Sequence, residues 1–323
     1  GGYWSWDPIE NVAFMPWLAL TTFIHSVMVQ KRRGMFRMWN VVLLSVAFVL
    51  AQFGMFINRG GPVVSVHSFG ASTLGIIFLT FMLFSLAFAL FVFFWRFNDL
   101  KSDRPLESFL SREASFLLNN FLLLGIVGVT LWGVLFPLAS EFAQEETVTV
   151  SAPYFNHING PMLLALVLLM GVGPVLPWRR ANGASLKRWL LWPAILAITA
   201  LVGMAASGLE KPIALFSFSV LVFVITSIGQ EWYRGTMARR RAGDNFAVGF
   251  WRLVNGNRPR HGGYVVHISI LMLAFGVIGT GFYNQREDTI LNLGESFEID
   301  NYRIEFAGHG EEPRADRLAQ WAI

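Results

Sequence analysis

The chain has 323 residues, of which 54% are hydrophobic and 14% charged, with 30 Phe and 12 Trp. That is too apolar for a soluble domain of this size and indicates a polytopic membrane protein. The net charge of +4 lies in loops between apolar runs, where it sets orientation and calls for no nucleic acid. No cysteine is present, so neither a disulfide nor a protein thiolate takes part in any chemistry within the chain.

In chain order, Gly1-Gly2-Tyr3-Trp4-Ser5-Trp6-Asp7-Pro8-Ile9-Glu10-Asn11 comes first, closed by Pro16-Trp17. It precedes the first of about eight runs of spanning length, at 12–30, 39–57, 71–95, 114–138, 160–177, 189–207, 212–230 and 263–282. The expected fold class is an all-α polytopic membrane protein of about eight transmembrane helices, followed by the start of a small β-rich domain. After Tyr283 hydropathy falls, and Phe297-Glu298-Ile299 and Tyr302-Arg303-Ile304-Glu305-Phe306 alternate about Asp300-Asn301, which predicts a hairpin. The expected divisions are an aromatic outer segment at 1–17, a helical bundle at 12–282 and an outer-face soluble segment at 283–323. The first residue is not Met and no signal-peptide pattern precedes the aromatic stretch, so the sequence is expected to begin inside a longer protein and to stop within its last domain.

Lys31, Arg32, Arg33 and Arg37 separate the first two runs, Arg179, Arg180, Lys187 and Arg188 the fifth from the sixth, and Arg234 to Arg260 precede the last. Eight crossings put all of these on one side, which the positive-inside rule makes cytoplasmic. The opposite loops carry Glu141, Glu145, Glu146 and an acid-rich tail after Gln285. The tryptophans therefore belong to the outer face. Amphipathic rings favour that depth in any membrane protein, but an ordinary aromatic belt needs no glycine pair, Asp-Pro or fixed spacing. A shelf for a flat ligand is the reading preferred here.

Of six histidines, His25 and His267 fall inside predicted spans, where ionisable groups are rare and usually functional. Each alone is as compatible with a simple interhelical hydrogen bond. His25 lies six residues before Lys31 and His267 seven after Arg260, so both sit roughly 9–10 Å in from the cytoplasmic end. Two neutral imidazoles at matched depth are what bis-histidine ligation of a b-type haem requires. Lys31, Arg32, Arg33, Arg258 and Arg260 then lie near enough to pair with its propionates, although topology alone accounts for them. His67 sits in an outer loop, Gly60 to Gly70, on the side of the tryptophans, where it suits an axial ligand. His157 reads as structural; His261 at the rim and His309 in the tail have no nameable partner. No phosphate loop, His-Glu-x-x-His or Gly-x-Ser-x-Gly occurs, and the spans lack the carboxylates of a pump.

The segment Gly-Gly-x-Trp-x-Trp-Asp-Pro with Glu10-Asn11 and Met15-Pro16-Trp17 resembles the tryptophan-rich WWD signature of haem-handling membrane proteins, and most of all the CcmF-type cytochrome c haem lyases of maturation system I. The resemblance continues through Ile24-His25-Ser26, Ser65-Val66-His67-Ser68-Phe69, Ser111-Arg112-Glu113-Ala114, Asn119-Asn120, Tyr154-Phe155-Asn156, Asn159-Gly160-Pro161 and Gly262-Gly263-Tyr264-Val265-Val266-His267. Tyr3 stands where Trp is common, and a phenol still offers a π face.

The resemblance implies that His25 and His267 ligate a resident haem b. It implies that His67, with a second outer histidine expected before Gly1, holds an incoming haem against Trp4, Trp6 and Trp17, with Asp7 in the same site. The implied reaction adds two thiols of a Cys-x-x-Cys-His segment of apocytochrome c across the haem vinyls, with quinol as a possible electron donor. Implied partners are apocytochrome c, a haem-loaded haem chaperone, thiol-reducing and apocytochrome-handling maturation proteins, and membrane lipid. The implied location is a bacterial inner membrane with the active face periplasmic. Three other readings compete: a shorter WWD haem-delivery or chloroplast-type protein, a haem-b quinol-linked electron carrier without ligation activity, and a transporter without cofactor. Length beyond the motif and the Asp-Pro-Ile-Glu-Asn wording favour the lyase.

Overall fold

The computed structural model describes residues 3–63, 65, 67, 69, 72–102, 104–284, 289–299, 302–313 and 318–323. Gly1, Gly2, Val66, Ser68, Gln285 and the expected turn Asp300-Asn301 lie outside the described residues. All eight expected spans are helices long and apolar enough to cross a membrane. They are α1 (Pro8–Arg33), α2 (Arg37–Gly60), α3 (Thr73–Trp95), α5 (Arg112–Gln144), α6 (Ala152–Val172), α7 (Gly183–Ala206), α8 (Pro212–Arg241) and α10 (Arg258–Tyr283). Between them lie α4 (Phe97–Leu100) and α9 (Phe246–Gly256). The chain is a multi-pass, mainly helical membrane protein.

The ends of α1 are set by local chemistry. Asp7 caps its N-terminus in a capping box, with Asp7 Oδ2 accepting from Ile9 N at 3.0 Å and Glu10 Oε2 accepting from Asp7 N at 3.1 Å. Pro8 occupies the first turn, where a missing N–H costs nothing. At the other end Gly34 takes a left-handed φ of 68°, donating to Gln30 O, and Lys31, Arg32 and Arg33 sit on the negative end of the helix dipole. Ser111 caps α5 in the same way, accepting from Ala114 N at 3.1 Å.

The core is formed where α1, α2 and α5 meet. Met15, Leu18 and Ala19 of α1, Leu50, Phe53 and Ile57 of α2, and Leu123, Ile126 and Val134 of α5 are buried together. The faces of α3, α7 and α10 are largely exposed and strongly apolar, as expected of surfaces meeting lipid acyl chains. Two departures from expectation involve the helices. Helix α6 begins at Ala152, eight residues before the predicted 160, and carries Tyr154, Phe155, Asn156 and His157 on its opening turns. The helix α9 was not expected at all.

The chain divides into two units, Gly1–Leu271 and Met272–Ile323. The second contains the end of α10 and two antiparallel hairpins. In the first, β1 (Ser296–Ile299) pairs with β2 (Tyr302–Glu305) in the register Phe297 to Ile304 and Ile299 to Tyr302, as the alternation predicts. The second, β3 (His309–Pro313) with β4 (Leu318–Ala322), was not foreseen.

Candidate functional site

The N-terminal aromatic residues form one cluster. The Trp4 and Trp6 rings meet edge to face at 5.6 Å, Trp4 meets Phe14 at 5.5 Å, and Phe14 stacks on Trp17 at 5.7 Å. Trp6 is fixed on three sides. Its ring stacks on buried Phe155 at 4.9 Å with 10° between planes, its Nε1 donates to Asn156 Oδ1 at 2.8 Å, and its carbonyl accepts from Asn11 Nδ2 at 2.8 Å. These contacts hold a tryptophan at a left-handed φ of 60°, a conformation non-glycine residues seldom adopt. Trp4 and Trp17 stay 37% and 51% exposed, leaving apolar ring surface at this end of α1.

Asp7 joins this cluster to the loop before α3. The same Oδ2 that caps α1 accepts from Ser65 Oγ at 2.5 Å and lies 3.4 Å from His67 Nδ1, while His67 N donates to Ser65 Oγ at 3.0 Å. His67 is thus tethered beside the tryptophans with 55% of its side chain exposed. The residues expected to act together here, Trp4, Trp6, Asp7, Trp17 and His67, do come together. Phe14, Phe155 and Asn156 are members that sequence reasoning did not assign to this site; Phe14 sits three residues before Trp17, and Phe155-Asn156 stood only within the family pattern. His157 is exposed, with Nδ1 donating to Pro153 O of its own helix at 2.7 Å, in line with a structural role.

Further along α1, His25 meets His267 of α10. Their ring centres are 6.5 Å apart and their planes differ by 16°. Two imidazoles gripping one metal between them through bonds of about 2 Å stand roughly 6 Å apart at their centres. His25 Nδ1 lies 2.8 Å from Thr21 O. A carbonyl only accepts, so Nδ1 carries the proton and Nε2 keeps its lone pair, the usual second contact of a ligating imidazole. His267 Nδ1 is buried without a hydrogen-bond partner. Spacing, tautomer and the unfilled polar atom all fit a metal-centred group between the two rings. Phe116 of α5 borders the pair, 5.9 Å from His25.

The basic rim beyond them is a network of ion pairs. Arg33 lies 2.6 Å from Glu107 and, through Nε, 2.7 Å from Glu113 Oε1, the latter an ion pair without hydrogen-bond alignment. Glu113 is 2% exposed and also accepts from Arg179 N at 2.9 and 3.1 Å. Arg260 pairs with Glu231 and donates through Nε to Tyr264 OH at 3.0 Å. Arg258 Nε donates to Asn255 Oδ1. Two histidines that lacked a nameable partner have one: His261 Nδ1 accepts from Trp232 Nε1 at 3.0 Å, and His309 stacks on Phe306 at 5.8 Å. Arg33 is thereby occupied by carboxylates of its own chain.

A family model described as Cytochrome C assembly protein matches residues 1–61. Among curated proteins, the chain is 31% identical to the cytochrome c-type biogenesis protein CcmF of Pseudomonas aeruginosa over 97% of its own length and 47% of that protein's. It is 31% identical to the cytochrome c-type biogenesis protein ccl1 of Rhodobacter capsulatus over 100% and 48%, and 29% identical to the Haemophilus influenzae CcmF over 97% and 47%. A solved structure titled Cytochrome c Heme Lyase CcmF matches with a TM-score of 0.72 at 30% identity, covering 100% of this chain and 47% of that one. The chain thus spans about half the length of the relatives it matches. Over nearly its whole length, and in its fold, the chain is similar to the CcmF-type cytochrome c-type biogenesis proteins, whose tryptophan-rich N-terminal pattern it shares.

Proposed function

We propose that this chain is the haem-handling part of a cytochrome c haem lyase of a bacterial inner membrane, holding a substrate haem at the periplasmic face while apocytochrome c is joined to it. The observation that carries the reading is the tether from Asp7 to His67 beside the Trp4, Trp6 and Trp17 rings. Exposed indole faces offer stacking to a flat macrocycle, and His67 offers a ring nitrogen at its edge. Each cysteine S–H of a Cys-x-x-Cys-His segment adds across one vinyl C=C, sulfur to one carbon and hydrogen to the other, with no net change in electrons. The chain's part is positioning: Asp7 fixes His67, Phe155 and Asn156 fix Trp6, and a bimolecular addition becomes effectively intramolecular. Having no cysteine of its own, the chain adds no competing thiol.

His25 and His267 would hold a resident haem b. When bound, that group supplies one-electron chemistry, drawing on quinol, to keep substrate iron ferrous. Thr21 O orients the His25 imidazole, and Phe116 excludes water from its side. A haem chaperone delivering the substrate and proteins that present reduced apocytochrome are the partners this chemistry needs.

The second reading, an electron carrier without ligation activity, accounts for His25 and His267 but leaves the Asp7 to His67 tether without use. Full-length His67→Ala, tested beside His25→Ala and His267→Ala, separates the two. On the lyase reading His67→Ala abolishes haem-stained cytochrome c yet keeps a low-spin b-type spectrum, whereas the other two variants lose that spectrum. Normal cytochrome c yield in His67→Ala would move the assignment to the carrier.

A further inference from the structure

Beside the ion pairs of this rim, Arg112 makes none among the described residues. Arg33 takes Glu107 and Glu113, Arg179 shares Glu107 at 3.7 Å, and Arg260 takes Glu231. Arg112 has no carboxylate within ion-pair distance among the described residues. Its Nε donates to Leu176 O at 2.8 Å, its Nη2 to Pro174 O at 2.5 Å, and its guanidinium lies 5.2 Å over the Trp178 ring. These contacts fix one edge of the guanidinium, and Glu113 and Glu231 act on it only from beyond ion-pair distance.

The position of this cation matters. Arg112 is one turn before Phe116 on α5, and Phe116 touches both His25 at 5.9 Å and Trp178 at 6.2 Å. Arg260 lies seven residues, about 10 Å and nearly two turns, before His267 on α10, which returns it to almost the same helix face. Arg112 is within electrostatic range of Arg260, Tyr264, Glu231 and Glu113. Two guanidiniums from different helices therefore gather on the basic-rim side of the paired imidazoles, and of the two only Arg260 is ion-paired. A partly buried guanidinium held only by carbonyls and a ring gains a charge-assisted hydrogen bond from a carboxylate, so a carboxylate-bearing ligand is the natural complement.

We propose that Arg112, flanked by Arg260, receives a carboxylate of the haem held between His25 and His267, and that Arg112 is the positioning residue that sets which edge of that haem faces the rim. The proposal rests on the bis-imidazole reading above. It replaces Arg33 in that role, because the Arg33 guanidinium is already occupied by Glu107 and Glu113.

Full-length protein made in haem-deficient cells is titrated with haemin and with haemin dimethyl ester, whose carboxylates are blocked. Wild type should bind haemin more tightly than the ester, and Arg112→Gln should weaken haemin roughly tenfold or more while leaving the ester unchanged. The loaded Arg112→Gln protein should keep its low-spin spectrum but show a lower midpoint potential, because losing a cation favours the ferric state. Arg112→Lys should hold the potential near that of wild type. Equal weakening of both ligands, or an unmoved potential, would reduce Arg112 to a staple of the 174–178 segment and overturn the proposal. Should Arg112→Gln fail to accumulate, wild type alone decides, since equal affinity for haemin and ester excludes a carboxylate contact. If added phosphatidylglycerol vesicles remove the haemin preference, the anion is a lipid phosphate and the proposal falls. A wild type that forms no low-spin complex, or one unchanged by His25→Ala, refutes the bis-imidazole reading and is distinguishable from all of these.

Discussion

Asp7 accepts hydrogen bonds from Ile9 N and Ser65 Oγ and lies beside His67, so its loss acts on a helix end and on a loop together. Asp7→Ala should cost about 1 kcal/mol in capping and release His67, removing haem attachment while the b-type spectrum persists. Asp7→Asn, a good cap that still accepts from Ser65, should retain part of the activity; haem-stained cytochrome c yield beside the absorption spectrum measures both. Glu113 poses a different case, since its partner Arg33 is itself 12% exposed. Glu113→Ala leaves Arg33 to Glu107 alone and the Arg179 N–H without its acceptor, and should destabilise the protein by about 1–3 kcal/mol, read as a lower thermal midpoint in detergent. Much of this was visible at the level of residue type: tryptophans, an aspartate before proline, and histidines at equal depth. The partners of Arg112, Phe155 and Trp232 were not, although the family pattern included the first two, because each partner lies at least 29 positions away and spacing along one helix says nothing about it.

Among the elements, α5 and α6 meet through glycines whose tolerance differs. A Cβ on Gly133 would come within 2.5 Å of the Phe155 ring, whereas one on Gly125 would meet only the mobile end of Met162 at 2.4 Å. Gly133→Ala should displace Phe155 and with it the stacked Trp6, lowering cytochrome c yield severalfold with the b-type spectrum intact; Gly125→Ala should leave both unchanged. The helices themselves were legible because each carries some 20 apolar residues, the length a bilayer imposes. Helix α9 has 11 residues with Arg252 and Asn255 among them, too short and mixed to register as a span. The first turns of α6 carry Pro153, Asn156, His157 and Asn159 ahead of Pro161, which read as a loop until seen to pack against Trp6 and Thr130. Hairpin β1–β2 alternates and was found; β3, His309–Pro313, has glycine, proline and paired acids in place of alternation.

For the molecule as a whole, one orientation accommodates every loop, and the absence of cysteine makes it directly measurable. Thr147→Cys, between α5 and α6, should react with a membrane-impermeant maleimide applied to intact spheroplasts, and Arg180→Cys, between α6 and α7, only after lysis. The reverse pattern would invert the topology. Within that frame α1 links the two histidine sites, and its geometry has a further consequence. Asp7 and His25 are 18 residues apart, five whole turns and about 27 Å along an ideal α-helix, so their backbone positions fall on one side of such a helix. One inserted alanine between Pro16 and Thr21 would swing everything above it by about 100° relative to everything below. Length variation in this segment is therefore a matter of phase: a rod that tolerates substitution at its exposed positions should reject any insertion or deletion that does not restore whole turns.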